Sequence, residues 1–355
     1  KDNYVDATFI LDGCGETPDI ETTNTTIKGR GNSTWSYPKK PYKMKFPNKI
    51  SLFNLTAAKE WVLLANYLDP TLIMNSVAFE LGHRLGLAYT NHPHHVEVVL
   101  NGIHKGSYVL TEQVEVKAGR VAIDEKTAFL AELDIYYDEE WEFKTDIIKL
   151  PVMIKSPDMD NASGMNFVKT AMNELEDALF NPAKGFPNNN YQDLMDVNSL
   201  INFLLVNEIV RNVELHHPKS TYIYKEANKK IQWGPLWDFD WAFGYNGSGF
   251  DHFLSSKDFL FRQITSSNNI GEEFFCRFFD DPLFRQQYKE RWNEVKNDVS
   301  SINSYIDDMA LKLKESRSQD LKLWNNGTNY TGDNFNKMKS WLQERIEYLD
   351  KEINK

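Results

Sequence analysis

The fold of this chain is most strongly marked by the stretch Gly234-Pro235-Leu236-Trp237-Asp238-Phe239-Asp240-Trp241-Ala242-Phe243-Gly244. Two carboxylates, Asp238 and Asp240, stand two residues apart in it among large apolar side chains. In an extended segment both carboxylates would project to the same side. Burying a carboxylate is costly unless a partner offsets its charge, and a divalent cation is such a partner. The stretch therefore predicts a Mg²⁺ site with Asp238 and Asp240 as ligands.

Two other interpretations of these acids stay open. They could cap a turn or pair with a lysine, which would make them purely structural. Paired carboxylates with tryptophans and tyrosines nearby could also serve a glycosidase, in which one acid protonates the leaving group and the other attacks or activates water. The glycosidase interpretation leaves the next feature of the sequence unexplained.

That feature is a basic segment, which holds seven Lys and Arg residues and no acid between Lys28 and Lys49. It begins with Lys28-Gly29-Arg30-Gly31-Asn32-Ser33-Thr34-Trp35. Glycines let backbone N–H groups approach an anion, hydroxyls add donors, and a lysine on the next strand can reach a phosphate. The chemistry of the segment suits a polyphosphate, and strand alternation places Lys43 and Lys45 on one face, which we expect to be functional. The alternative is an ordinary turn followed by a solvated basic edge strand.

Composition limits the class of protein. With 355 residues, 41% of them apolar, the chain can form two lobes that share a cleft. A net charge of −11 disfavours general attraction to nucleic acid or anionic membrane. We find neither an apolar run near the ~20 residues of a membrane span nor a signal-peptide core after Lys1, so we expect any export signal to have been removed or never present. Cys14 and Cys276 allow either one disulfide or two free thiols.

Hydrophobic periodicity changes along the chain. The first hundred residues are strand-rich with one helix, and from about Gly164 the apolar period is helical, with a brief return to β structure before Asp238. The expected elements are strands at Ala7–Leu11 and Tyr42–Phe46, a helix from Thr71 to Leu85, a hairpin about Asn101-Gly102, and a β pair at Thr221–Tyr224 and Ile231–Trp233.

A polar loop follows the predicted helix that ends near Asn212. It contains Asn212-Val213-Glu214 and the adjacent histidines His216 and His217. Loops held by rigid helices commonly carry catalytic groups. Because adjacent residues do not share a helix face, we expect the histidines to form a surface pair and not a zinc site.

Five segments in this order closely resemble the CotH kinase family, named for spore coat protein H. They are Gly29-Arg30-Gly31-Asn32-Ser33-Thr34-Trp35, Lys39-Lys40-Pro41-Tyr42-Lys43-Met44-Lys45-Phe46, Trp61-Val62-Leu63-Leu64-Ala65-Asn66-Tyr67-Leu68-Asp69, Leu110-Thr111-Glu112-Gln113-Val114 and Trp237 to Gly244. The likeness covers most of the chain between Lys28 and Gly244. Asp238-Phe239-Asp240 also resembles the Asp-Phe-Gly of protein kinases, whose Asp holds Mg²⁺.

The resemblance implies an α+β, two-lobed protein-kinase-like fold. A β-rich N-lobe would span residues 1–115, and a mainly helical C-lobe with a helical C-terminal extension would span residues 116–355. The family likeness further implies phosphorylation of Ser or Thr in secreted or cell-surface proteins of a bacterium, with ATP and Mg²⁺ as cofactors. The expected partners are ATP and a protein acceptor, without nucleic acid.

The resemblance also implies roles for individual residues. Gly29 to Thr34 would cover the phosphates with help from Arg30, Asn32 and Ser33, and Lys45, in preference to Lys43, would pair with them. Glu112 would lie near the hinge, and Glu80 is a candidate partner for the lysine. Asp238 would act in catalysis as the holder of Mg²⁺, assisted by Asp240.

One position departs from the family pattern. Family members commonly have Asn-X-Asp after the long helix, where this chain has Asn212-Val213-Glu214. Glu214 is the expected catalytic base, but its extra methylene demands a compensating shift, and a misplacement of about 1 Å can lower a rate by about 10²-fold. The rival interpretation is therefore a pseudokinase-like binding or adhesion module of the same fold.

Overall fold

The computed structural model describes residues 1–186, 190–247, 251–262, 264–266, 268–324 and 333–355. Antiparallel sheets dominate the first part of the chain and helices dominate the last part. The architecture is therefore a mixed α+β fold.

The first sheet is curled and has six antiparallel strands in the order β1-β2-β3-β4-β6-β5. They are β1 (Val5–Leu11), β2 (Ile20–Gly29), β3 (Tyr42–Ile50), β4 (Ala58–Leu64), β5 (His94–Leu100) and β6 (Ile103–Glu112). The predicted hairpin is confirmed, because Leu100 pairs with Ile103 around Asn101-Gly102. Both turn residues have positive φ, as a tight hairpin turn requires.

The sheet separates two cores. Met44 and Phe46 of β3 are buried on one face with Trp61 and Tyr108, whereas Lys43 and Lys45 alternate with them on the other face. Val62 on that other face joins the larger core that includes helix α1 (Met74–Arg84). Helix α1 begins later than the predicted Thr71, because the Asp69 carboxylate accepts hydrogen bonds from the backbone N–H groups of Thr71 and Met74.

A second antiparallel sheet lies in the region expected to be mainly helical. Its strands are β7 (Phe129–Leu133), β8 (Glu142–Lys144), β9 (Pro151–Ser156), β10 (Thr221–Lys225) and β11 (Gln232–Trp233), in the order β11-β10-β7-β9-β8. Only β10 and β11 were predicted. All five residues of β7 are buried, so this strand carries no alternating pattern that would reveal it.

The helices that follow α1 are α2 (Asn166–Phe180), α3 (Tyr191–Leu194), α4 (Val197–Val210), α5 (Ile270–Phe278), α6 (Pro282–Ser300), α7 (Ile302–Lys312), α8 (Lys314–Leu323) and α9 (Asn334–Ile353). The last helices pack back on the first sheet and on α4. The buried Lys39 ammonium lies 2.6 Å from the Asp320 carboxylate of α8, and Arg345 of α9 pairs with Glu208 of α4.

The structure bears on the expectations about the two cysteines and about membrane spans. Cys14 and Cys276 are free thiols. Within the described ranges, every helix is too short or too polar to cross a membrane.

Candidate functional site

A cleft with a cavity volume of 430 Å³ lies beside the first sheet. The lining includes the predicted phosphate-site residues Arg30, Asn32, Ser33 and Lys43. It also includes the two predicted metal ligands, Asp238 and Asp240. The structure thus brings together six residues from segments about two hundred positions apart in sequence.

The glycines of the basic segment are required by close packing. Strand β2 ends at Gly29, where a Cβ atom would collide with the Trp35 ring. Gly31 has a φ of +78°, and a Cβ there would collide with Thr34 Oγ1. The segment then turns through one 3₁₀ turn at Ser33–Ser36. These constraints fold the segment into a compact turn that lines the cleft.

Arg30 crosses from the basic segment to the acidic stretch. Its guanidinium carbon lies 5.2 Å from the centre of the Trp237 ring, within the range of a cation–π contact. Burial lowers the pKa of Arg30, whereas Asp238, Asp240 and Glu132 act in the opposite direction. Because a guanidinium stays protonated in proteins, Arg30 places a fixed positive charge among these carboxylates.

Asn75 of α1 holds the acidic stretch in place. Its Oδ1 accepts a hydrogen bond from the Phe239 N–H at 3.1 Å, and its Nδ2 donates to Asp240 Oδ1 at 3.3 Å. Asp238 has a φ of 61°, a conformation that costs a non-glycine residue about 1–2 kcal/mol. Such costs concentrate at functional sites, where the surrounding structure maintains them.

Burial favours a proton on each of the two carboxylates, Asp238 and Asp240. Both are half-buried and keep one side open to the cleft. Burial raises the pKa of Asp238. Burial, together with the charges of Asp238 and Asp69, raises the pKa of Asp240 to about 8. Without a bound cation, the pair therefore holds a proton at neutral pH.

This donor set fits Mg²⁺ bound together with a phosphate. Mg²⁺ commonly takes one or two carboxylates and completes its shell with water and substrate phosphates. Asp238 and Asp240 can supply the carboxylates. No group of three or more His, Cys, Asp or Glu side chains suited to holding a metal occurs in the described parts of the chain. A cation there would need ligands from outside the protein.

Glu214 lies beside the acidic stretch, outside the cavity lining. It is in a 3₁₀ turn, Val213–His216, that follows α4. The Asn212 side chain joins the two segments, because its Oδ1 accepts from the Glu214 N–H at 3.2 Å and its Nδ2 donates to the Asp238 carbonyl at 3.4 Å. Burial and the Asp238 charge raise the pKa of Glu214 to about 9, against the opposing charge of Lys219.

The two predicted lysines differ in placement. Lys43 lines the cleft and pairs with Glu60 of β4. Lys45 lies outside the cavity lining, with half of its side chain exposed, and its Nζ is 3.3 Å from Glu60. The expected partner Glu80 instead binds Arg84 one helical turn away. Glu60, and not Glu80, is thus the carboxylate that pairs with these two lysines, and of the two lysines only Lys43 lines the cleft.

Glu112 is placed at the end of β6 and outside the cavity lining. It is buried, and its carboxylate accepts hydrogen bonds from the His92 N–H at 2.9 Å and from the Thr111 hydroxyl at 2.9 Å. His92 Nδ1 lies 2.7 Å from it. Its neighbour Gln113 does line the cleft. These contacts fix the segment that follows β6.

The adjacent histidines are not a surface pair, contrary to expectation. The His216 side chain is only 15% exposed, and its Nδ1 lies 3.0 Å from Glu272 of α5. His217 contacts the Trp241 ring edge-on. Both rings therefore pack the loop that carries Glu214 against neighbouring elements.

The second sheet supplies a wall of the cleft that sequence reasoning missed. Glu132 and Asp134, Lys155 of β9 and Tyr222 of β10 all line the cavity. Lys155 Nζ lies 3.4 Å from Glu132. Burial raises the pKa of Glu132 to about 7, and Lys155 opposes this shift. The available signal was a single acid inside the apolar run Phe129-Leu130-Ala131-Glu132-Leu133.

The family model described as CotH kinase protein matches residues 27–349, a range that includes the basic segment, the second sheet, the acidic stretch and most of α9. A search of curated proteins gives no match. Because the family model covers nearly the whole chain, this protein belongs to the CotH kinase family.

Proposed function

We propose that the cleft binds Mg-ATP and that the protein transfers the γ-phosphoryl group to Ser or Thr hydroxyls of secreted or cell-surface proteins. The observation that carries the proposal is the joint lining of one cleft by Arg30, Lys43, Asp238 and Asp240. Membership of the CotH kinase family suggests a kinase-like function. In this proposal the first sheet is the core of an N-lobe, and the second sheet and the helices form a C-lobe.

The phosphates would lie between the basic segment and the acidic stretch. Backbone N–H groups from Gly29 to Thr34 and the side chains of Asn32 and Ser33 would donate hydrogen bonds to them. Arg30 and Lys43 would supply positive charge. Asp238 and Asp240 would hold Mg²⁺, which supplies neutralisation of the charge that develops on the phosphate oxygens.

Transfer in this proposal is an in-line displacement at the γ-phosphorus. The acceptor oxygen forms a bond to phosphorus while the bond from phosphorus to the bridging oxygen breaks, and that electron pair leaves with ADP. The hydroxyl proton passes to the Glu214 carboxylate. Burial is the main cause of the raised pKa of Glu214, and the negative charges of Asp238 and Asp240 raise it further. A cation bound to those two carboxylates would lower it and favour ionised Glu214.

A pseudokinase-like binding module is the second candidate. Two observations favour it: glutamate stands where family members commonly have aspartate, and Glu214 lies outside the cavity lining. In this alternative the same cleft would bind Mg-ATP without transferring phosphate. A role in adhesion or surface assembly would then depend on the bound state and not on chemistry.

The test measures transfer and binding in the same preparation. The protein is incubated with γ-³²P-labelled ATP, Mg²⁺ and a generic acceptor, beside Asp238→Asn and the exposed control Asp158→Asn. We expect label that requires Mg²⁺, persists in Asp158→Asn and disappears in Asp238→Asn. Binding of Mg-ATP without any label would support the pseudokinase. The absence of both binding and label would overturn the proposal.

A further inference from the structure

Lys219 occupies an enclosed position next to Glu214. Its Nζ lies 4.0 Å from the centre of the Trp241 ring and 5.1 Å from that of Tyr136. The same atom is 3.8 Å from Glu214 Oε2, and the Lys219 side chain is only 12% exposed. An ammonium group held between aromatic faces gains cation–π stabilisation and loses freedom to move. Lys219 is therefore a fixed charge and not a mobile surface lysine.

The backbone strengthens this placement. The Lys219 N–H donates a hydrogen bond to the Glu214 carbonyl at 3.1 Å, so the loop closes on itself. The next residue, Ser220, donates its N–H to the Asp134 carboxylate at 3.1 Å. Hydrogen bonds thus hold the backbone on both sides of Lys219, one to Glu214 and one to Asp134, which directly follows β7.

Glu214 needs a partner of this kind. Its Oε2 is buried and accepts no hydrogen bond from any described residue. The groups whose charges act on Glu214 are Asp238, Asp240 and Asp134, which are all acids, and Lys219, which is the cation among them. The Glu214 charge also acts on Tyr245. Neighbouring negative charges disfavour an ionised carboxylate, and a nearby cation offsets their effect.

Two cations flank Asp238 from different elements. Arg30 approaches from the basic segment and also acts on Asp240. Lys219 approaches from the loop after α4 and also acts on Glu214 and Asp134. Both cations therefore act on Asp238. Arg30 belongs to the segment proposed to bind the phosphates, and Lys219 lies next to the proposed base.

We propose that Lys219 is a positioning residue that holds the Glu214 carboxylate in its orientation, with Trp241 fixing the ammonium. This inference rests on the proposed kinase function. Since Trp241 directly follows Asp240, the contact also couples the base to the metal-binding stretch. Lys219 need not touch either substrate for this role.

The role predicts a specific kinetic pattern for Lys219→Met. We expect kcat to fall by about tenfold or more, as for loss of a fixed charge near a general base, while the affinity for Mg-ATP stays within about twofold. Without the ammonium the pKa of Glu214 rises further, so the acid limb of the kcat profile moves to higher pH. Lys219→Arg keeps the charge and should recover part of the rate. Lys225→Met, on β10, is the matched control and should behave as wild type.

A double-variant cycle separates a specific pairing from general damage. If Lys219 acts through Glu214, Lys219→Met should have little further effect on kcat in a Glu214→Gln background. The same cycle is measured on the urea midpoint, which needs no catalysis. Coupled effects in both readouts support the inference. Wild-type kcat and an unchanged pH profile in Lys219→Met, or independent effects in the cycle, would overturn it.

The outcome also distinguishes this inference from the proposed function. If the wild-type chain transfers no phosphate, the kinase proposal fails, and the pairing is judged by the urea cycle alone. Coupled midpoints then support Lys219 as the partner of Glu214, and additive midpoints reject it. If the wild type does transfer phosphate, the kinetic arm decides.

Discussion

The Arg30 guanidinium lies over the Trp237 ring, with 5.2 Å between its carbon and the ring centre. This contact joins the segment after β2 to the residue that precedes Asp238. It places a permanent positive charge beside the carboxylates of Asp238 and Asp240. A Mg²⁺ ion would complement the carboxylates, and a polyphosphate would complement the guanidinium.

The stacking geometry of Arg30 makes a charge-conserving substitution informative. Lysine keeps the charge but loses the planar group that stacks on Trp237. We expect Arg30→Lys to weaken Mg-ATP binding by about tenfold, which lies between the values for exposed and for desolvated cation–π contacts. Calorimetric titration measures this, with the exposed Arg285→Lys as control. Equal affinity in Arg30→Lys and wild type would contradict a direct role for the guanidinium.

The two lysines of β3 should respond differently. Lys43 lines the cleft, whereas Lys45 is half exposed beside it. We expect Lys43→Met to lower ATP affinity by about tenfold, the effect of one lost charged hydrogen bond, and Lys45→Met to leave it within about twofold. The same titration decides between them. A larger loss in Lys45→Met would restore the order that the sequence suggested.

Asn75 should matter for both stability and the metal site. Its removal would leave the buried Phe239 N–H unpaired and free the Asp240 carboxylate. We expect Asn75→Ala to lower the free energy of unfolding by about 1–3 kcal/mol, the cost of an unsatisfied buried polar group. Urea denaturation measures it. The exposed Asn336→Ala on α9 is the control, and an equal, small effect in both variants would argue against this role.

Stability should fall as pH rises when no metal is bound. Glu214 has a pKa of about 9 in the folded chain because of burial and the Asp238 charge, well above the usual value of an unfolded glutamate near about 4.3. Between these values the folded state holds a proton that the unfolded state has released, so stability is lost as pH increases.

Glu214→Gln removes this proton and should flatten the pH dependence. Urea midpoints at pH 6 and pH 9 in EDTA provide the measurement. Wild type should lose more stability than the variant over this interval. The exposed Asp158→Asn should keep the wild-type slope. A variant slope equal to that of wild type would show that Glu214 is not protonated in the folded chain.

The buried pair between α9 and α4 is expected to be essential for folding. The side chains of Arg345 and Glu208 are both fully buried, and Arg345 also bonds the Glu208 carbonyl. Removing one partner leaves a buried charge without compensation, so Arg345→Met should lower the free energy of unfolding by about 3–5 kcal/mol. Urea denaturation measures the loss.

A double variant gives the control for that prediction. Combining Arg345→Met with Glu208→Gln removes both charges and should recover part of the stability. Arg262→Met removes the more exposed partner of Glu352 and should change stability little. If Arg345→Met and Arg262→Met destabilise equally, α9 does not depend on the buried pair.

The strands that sequence reasoning found are those with alternation and clear turn signals. Ala7–Leu11 and Tyr42–Phe46 lie within β1 and β3, and Asn101-Gly102 forms the predicted turn. The missed strand β7 is buried throughout, and a short apolar run does not distinguish a buried strand from a helix segment. The second sheet therefore became visible only in three dimensions.

The parts of the site that consist of residues close together in the sequence could be predicted. Glycines, basic residues and paired acids marked two of its walls. The partner of Lys43 was not local, because Glu60 reaches it through the register of β3 with β4, in which Lys45 pairs directly with Glu60. Registry depends on which strands become neighbours, and the sequence alone did not specify that. For the same reason Lys155 and Glu132 were missed.

The most direct measurement of the central claim is calorimetric titration of the chain with ATP, with and without Mg²⁺, for wild type and Asp238→Asn. We predict saturable binding of one nucleotide that requires Mg²⁺ and is weakened by at least about tenfold in the variant, since Asp238 is a proposed ligand of the cation. Thermal unfolding of both proteins confirms that the variant is folded. Equal nucleotide affinity in EDTA, or in Asp238→Asn, would contradict a Mg-ATP site in this cleft.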